Sequence, residues 1–214
     1  MKRVTLKVLN ERVGGMSKPS KMPGTSYSIS AFRCNVGSKL AKIPGSVCHG
    51  CYALKGRYRF GNTQNALERR FQRMQDNPNW VADMAEIIGR QSKGFHRWHD
   101  SGDLQSWEHL MMILDVARAT PDVKHWLPTK EYGLIRRLNR WKANGGNVPN
   151  NIVVRVSAPM RNQELSGFEH TSSVYDEGKP EGSFMCEAYT RQGKCGPCRA
   201  CWDENVSDVT YPKH

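Results

Sequence analysis

The seven cysteines of this 214-residue chain fall into two sets, and their spacing is its strongest chemical signal. Cys48-His49-Gly50-Cys51 is a Cys-x2-Cys pair, with Cys34 fourteen positions earlier. Two residues between thiols make a tight turn that lets both sulfurs reach one centre. Three thiolates leave a tetrahedral metal one ligand short. Either a fourth protein group such as His49 completes a zinc site, or the three hold a [4Fe–4S] cluster with one iron open. The plainer alternative is a buried cysteine pair without metal. Cys186, Cys195, Cys198 and Cys201 form the second set, with two successive Cys-x2-Cys steps like the compact run of bacterial ferredoxins. Gly196 and Pro197 favour turns over helix there. Four thiolates satisfy a structural zinc equally well. The second set therefore predicts a second iron–sulfur cluster or a zinc ion, unless some of its thiols complete the first site.

The setting supports metal ligation over disulfides. An odd number of cysteines cannot pair completely. The basic start, Met1-Lys2-Arg3, leads into no apolar stretch, so no secretory signal is expected and a cytoplasmic location is. Close-set cysteines in that compartment read as metal ligands. No run approaches the roughly 18 apolar residues of a membrane span.

A second constellation is His99-Asp100-Ser101-Gly102-Asp103. An imidazole and two carboxylates at one strand end suit general acid–base work, with His99 and Asp100 as candidate catalytic groups. Alternatively, Asp103 caps the following helix. Lys130 and Glu131, at another strand end, are candidates for substrate contact or simply solvated loop residues. No phosphate-cradling Gly-x-x-x-x-Gly-Lys loop, nucleophile elbow or His-Glu-x-x-His occurs.

The elements that must position these groups alternate. Residues 1–24 read as a short N-terminal strand and a loose arm. Residues 25–30 alternate as a strand should, and a long loop over 33–50 carries the first cysteines. Helical spacing covers 64–74 and 80–91, with Asn77-Pro78-Asn79 as the break. Strands at 95–99, 124–129 and 151–157 then alternate with helices at 106–119 and 132–143, which marks parallel βαβ units. Further strands are expected at 172–176 and near 206–211. The fold class is α/β, an incomplete barrel or open sheet of about five or six parallel strands. It spans residues 25–180, with a cysteine-rich segment, 181–214, packed on the same domain. Chemistry in such folds gathers where strand carboxyl ends meet the next loops, and the polar signatures fall there.

Lys plus Arg exceed Asp plus Glu by 32 to 20, a formal net charge of +12. That balance suits a polyanionic partner, nucleic acid above all. The densest clusters are Lys55, Arg57 and Arg59; Arg69, Arg70 and Arg73; and Arg136, Arg137, Arg140 and Lys142. Phe60 and Phe71 lie within the basic 59–73 stretch, which suits a phosphate backbone with stacking bases as well as a solvated helix face. Trp98, Trp107, Trp126 and Trp141 are expected in the core.

Cys48-His49-Gly50-Cys51-Tyr52-Ala53 and the run from Cys195 to Trp202 resemble signatures of the phage "gene product 88" proteins, which are similar to radical S-adenosylmethionine enzymes. The resemblance covers roughly residues 25–205. It implies a partial (βα)6 barrel with a [4Fe–4S] cluster on Cys34, Cys48 and Cys51, and S-adenosylmethionine on the open iron. Ser101-Gly102-Asp103 would stand where relatives place the Gly-Gly-Glu that holds the cofactor's amino group, and Ser157 resembles a polar cofactor contact. With an electron donor, the implied activity is reductive cleavage of that cofactor, inside the host cell if the chain is phage-encoded. The sequence departs from the pattern in its thirteen-residue first gap and in Ser-Gly-Asp for Gly-Gly-Glu. The alternative is a non-catalytic, metal-stabilised module that binds nucleic acid.

Overall fold

A computed structural model describes residues 3–213. Seven strands pair in parallel throughout: β1 (Thr25–Tyr27), β2 (Phe95–Trp98), β3 (Lys124–Thr129), β4 (Ile152–Ser157), β5 (Thr171–Tyr175), β6 (Phe184–Met185) and β7 (Asp208–Pro212). Their order is β1-β2-β3-β4-β5-β7-β6, so the sheet is open, with β1 and β6 at its edges. The expected five or six strands are seven. The addition is β6, two residues long and too short to show alternation.

Six helices accompany the sheet: α1 (Leu6–Val13), α2 (Asn35–Leu40), α3 (Gly61–Asp76), α4 (Trp80–Gln91), α5 (Trp107–Ala119) and α6 (Tyr132–Ala143). The last four match the helical spacing of the sequence. The expected N-terminal strand is instead α1, capped by the Thr5 hydroxyl, which accepts the Val8 N–H at 3.3 Å. Leu9 and Val13, four apart, are its buried face. The loop over 33–50 contains α2, and short 3-10 turns at 52–54 and 56–59 precede α3. No helix among the described residues is long and apolar enough to cross a membrane.

The period of two along each strand divides the side chains between two faces. Trp98, Leu127, Ile152 and Val156 join Met84 and Ile87 of α4 and Leu110, Ile113 and Leu114 of α5 in the main apolar core. Four histidines are buried with them: His96, His99, His109 and His125. Phe95 and Trp126 meet Trp202, at ring separations of 5.6 and 5.2 Å, as part of a second cluster. The C-terminal segment supplies that tryptophan, and its indole N–H donates to the His96 carbonyl at 2.9 Å. Arg155 of β4 is fully buried, and its guanidinium donates to the carbonyls of Thr171, Ala200, Asp203, Val206 and Ser207. One cation thus ties the last loop of the chain to the middle of the sheet.

Two outcomes follow. Arg155→Met leaves five carbonyls without this donor and should cost about 3 kcal/mol in urea unfolding; a loss below about 1 kcal/mol would show that the segment is held by other contacts. Burial drives all four histidines below their ordinary value, His109 to about 4 and His125 to about 3. They are neutral when folded and gain protons on unfolding once the pH is below about 6.5, so stability should be flat above that point and fall below it. Between pH 6 and 5 the slope should exceed about 1.4 kcal/mol per pH unit, the value for one proton. A slope under one proton would mean that these rings are not buried neutral.

Candidate functional site

Because the strands are parallel, the segments that follow β1, β2, β3 and β4, together with the ends of β5 and β7, meet at one edge of the sheet. They enclose a cavity of about 700 Å³. Cys34, Cys48, Cys51, His99, Asp100, Ser101, Gly102, Asp103, Lys130 and Ser157 all line it, so every sequence-predicted site residue outside the C-terminal cysteines is brought together, apart from Glu131.

Cys34 ends the 3-10 turn after β1 and starts α2. Cys48 and Cys51 flank a tight turn in which the Cys51 N–H donates to the Cys48 carbonyl at 3.0 Å. That loop is stitched to the segment after β4, by Val47 N–H to Pro159 O at 2.9 Å and Arg161 N–H to Gly45 O at 3.1 Å. Gly37 of α2 lies against the sulfurs: a Cβ there would stand 3.5 Å from Cys34 Sγ and 3.7 Å from Cys48 Sγ. Burial pushes the Cys34 thiol up to about 12, with Asp103, Cys48, Cys51 and Glu131 adding to it. Burial also raises Cys48, opposed by the Lys130 ammonium. His49 turns elsewhere, its Nδ1 3.2 Å from the Ala41 carbonyl.

A side chain in place of Gly37 would thus be in ordinary van der Waals contact with two of the three clustered thiols. Among the described residues, no group of three or more His, Cys, Asp or Glu side chains is placed to hold a metal ion.

Asp103 is the buried hub of the site. Its carboxylate accepts the Thr129 hydroxyl at 2.6 Å, the Lys130 N–H at 2.8 Å and the Leu104 N–H at 2.7 Å, tying the loop after β2 to the end of β3. Burial raises its pKa, and those bonds pull it back. It does not cap α5; Ser106 does, accepting the His109 N–H at 3.1 Å. The Ser101 hydroxyl donates to the Ile29 carbonyl at 2.8 Å. Gly102 adopts φ +75°, and a Cβ there would lie 2.4 Å from Ile29 Cγ1. Glu131 lies beside the cavity, where it accepts the Val36 N–H at 3.0 Å and so fixes α2 behind Cys34.

His99 adopts φ +54°, an uncommon conformation for a side-chain-bearing residue. It is 4% exposed, and neither ring nitrogen has a hydrogen-bond partner. Burial is the main cause that holds it neutral, with His109 and Arg97 adding to it. Asp100 accepts the Tyr58 hydroxyl at 3.4 Å, and its carbonyl accepts Tyr52. The Ser157 oxygen accepts the Ser172 hydroxyl at 3.0 Å.

Sequence reasoning did not anticipate Arg97, Tyr52, Ser172 or Tyr211, all of which line the cavity. Arg97 lies 4.4 Å over the Trp126 ring, so that tryptophan is buried and also part of the cavity wall. A basic residue alternating with buried aromatics in Phe95-His96-Arg97-Trp98 was the available signal.

The C-terminal cysteines also gather. Cys195 feels Cys186 and Cys198, and burial raises its thiol. Cys201 is pushed up to about 11, mainly by burial, and its sulfur is 3.2 Å from the Tyr211 hydroxyl. All seven cysteines are free of disulfides.

The model of a family described as Gene product 88 matches residues 10–204. No curated protein matches, and neither does any solved structure.

Replacing Gly102 with Ala should cost about 2 kcal/mol or more in chemical denaturation, from a positive φ and a Cβ driven into Ile29. A neutral substitution would show that the loop after β2 is not held against β1.

Proposed function

The chain belongs to the Gene product 88 family, and on that premise we propose that it is an iron–sulfur protein similar to radical S-adenosylmethionine enzymes. The observation that carries the reading is the convergence of Cys34, Cys48 and Cys51 on a roomy cavity at the carboxyl edge of an open parallel sheet. On this reading the sheet is a partial (βα) barrel, and the three thiolates hold a [4Fe–4S] cluster. When bound, the cluster supplies an electron and an open iron for reductive cleavage of a sulfonium cofactor such as S-adenosylmethionine.

The chain's own residues serve that task by binding and proton control. Asp103 accepts three hydrogen bonds, and a carboxylate offers about four lone-pair sites, so one remains for a cofactor ammonium. Gly102 lets that loop pack against Ile29, just beyond β1. Ser157 accepts from Ser172, which leaves its own proton free to donate to a cofactor hydroxyl or carboxylate. His99, neutral with both nitrogens unpartnered, takes or gives a proton at Nδ1 or Nε2, and Asp100 beside it is the second acid–base group. Cys186, Cys195, Cys198 and Cys201 hold a second metal, iron–sulfur or zinc, that stiffens the segment under the sheet.

Protein purified without oxygen should be brown and carry iron and acid-labile sulfide in equal amounts. Cys34→Ser, Cys48→Ser and Cys51→Ser should each remove that iron, while metal at the C-terminal set remains. Reduction with S-adenosylmethionine present should release 5′-deoxyadenosine. Colourless protein holding only zinc defeats the reading, and a loaded cluster that releases no nucleoside defeats its catalytic half.

A further inference from the structure

The sequence offered three basic clusters for a polyanion, and the structure separates them by what their charges already do. In α3, Arg69 donates to the Gly14 carbonyl, and Arg70 donates to the Gly15 carbonyl and the Ser17 hydroxyl. In α6, Arg136 and Arg137 lie over Phe168 and Trp107, and Lys142 pairs with Glu169. Arg73 and Arg140 make no such contact among the described residues, but Lys55, Arg57 and Arg59 form the cluster in which every cation is unengaged. All three are exposed, and none makes a side-chain hydrogen bond or an ion pair among the described residues. The nearby acid Glu68 is taken by Arg33.

The same turns expose large rings. Phe32, Tyr52 and Phe60 are 64, 61 and 62% exposed. The turn at 31–33 packs on the turn at 52–54, which packs on the turn at 56–59. Phe60 follows directly, at the N-cap position of α3. Tyr52 is anchored through its hydroxyl to the Asp100 carbonyl, so its ring is both fixed in place and part of the cavity wall.

We propose that Phe32, Tyr52 and Phe60, with Lys55, Arg57 and Arg59, form a docking face for single-stranded nucleic acid that joins the cavity through Tyr52. Free cations complement a phosphate chain, and bare rings offer faces to unstacked bases. A duplex hides its base faces, and a peptide of Asp and Glu brings charge but no aromatic faces to stack on three rings. The face needs no metal, so it stands apart from the cluster reading.

The test is fluorescence anisotropy of labelled twelve-nucleotide oligo(dT) and oligo(U) with the full chain at low salt. Binding should weaken with salt. Phe32→Ala and Phe60→Ala should each weaken it about five-fold or more, as expected for losing one stacked base. The double variant Arg57→Gln, Arg59→Gln should lower the log–log salt slope by about 1.4, the value for two phosphate contacts on a single strand. Arg136→Gln with Arg140→Gln on α6 should change neither. Thermal melts of the variants should match the parent, since all these side chains are exposed. The proposal is overturned by absent binding, by ring variants that bind like the parent, or by loss confined to the α6 variant. Equal binding of a duplex, a polyglutamate peptide or anionic phosphatidylserine vesicles also overturns it. Iron-free protein that still binds the strand upholds this face and defeats the cluster; iron-loaded protein that ignores the strand does the reverse.

Discussion

Parallel pairing is the constraint from which the rest of the site follows. When seven strands run the same way, all their carboxyl ends lie on one edge, and each connecting segment must leave from it. Loops crowded there bring backbone groups that need partners away from water. Asp103 meets that need between β2 and β3, and Glu131 meets it behind Cys34. The bonds of the Cys48 loop to the segment after β4 do the same on the far side. The groups that hold the loops together are therefore the groups that shape the cavity. A buried carboxylate costs a great deal when its hydrogen bonds are missing, so Asp103 enforces the arrangement as well as benefiting from it.

The two faces of the sheet are stabilised by different means. Around Trp98, Leu127 and Val156, apolar burial between β-strands and helices suffices. Around Phe95 and Trp126, the covering layer is a short irregular segment with few apolar side chains, so a cation and an indole do the joining. Five carbonyls around one guanidinium is a dense arrangement that a lysine, with three donors, cannot reproduce. It also fixes the backbone on either side of Cys201 and Trp202, through the carbonyls of Ala200 and Asp203.

Much of this was legible in the sequence where periodicity is strong. The α3 to α6 helices and β2 to β4 strands combine clear spacing with caps or breaks, and their ends moved by only a few residues. The N-terminal helix was hidden because Val4, Leu6 and Val8 read as a β-like alternation, while the Thr5 cap and the Leu9–Val13 pair are a weaker signal. The β6 strand was too short to carry any pattern. At the site, the cysteines, His99 and Asp103 stood out by chemical type and by position at strand ends. Arg97, Ser172 and Tyr211 did not, because a residue on the inner side of a strand declares its role only once the facing strands are known. Nor does a run of arginines reveal which charges are spent on carbonyls and rings, and that distinction separates the basic clusters here.

The tryptophan that closes the second cluster reaches back 106 positions to bond the His96 carbonyl. During synthesis, Phe95, Trp126 and Arg155 therefore wait for a cover that leaves the ribosome among the last of these residues. A nascent chain at that stage holds a desolvation-hungry guanidinium and open strand edges, the features that chaperones recognise and aggregation exploits. In the order of synthesis, every residue of the helix-covered core emerges before the cysteine-bearing segment that covers the other face.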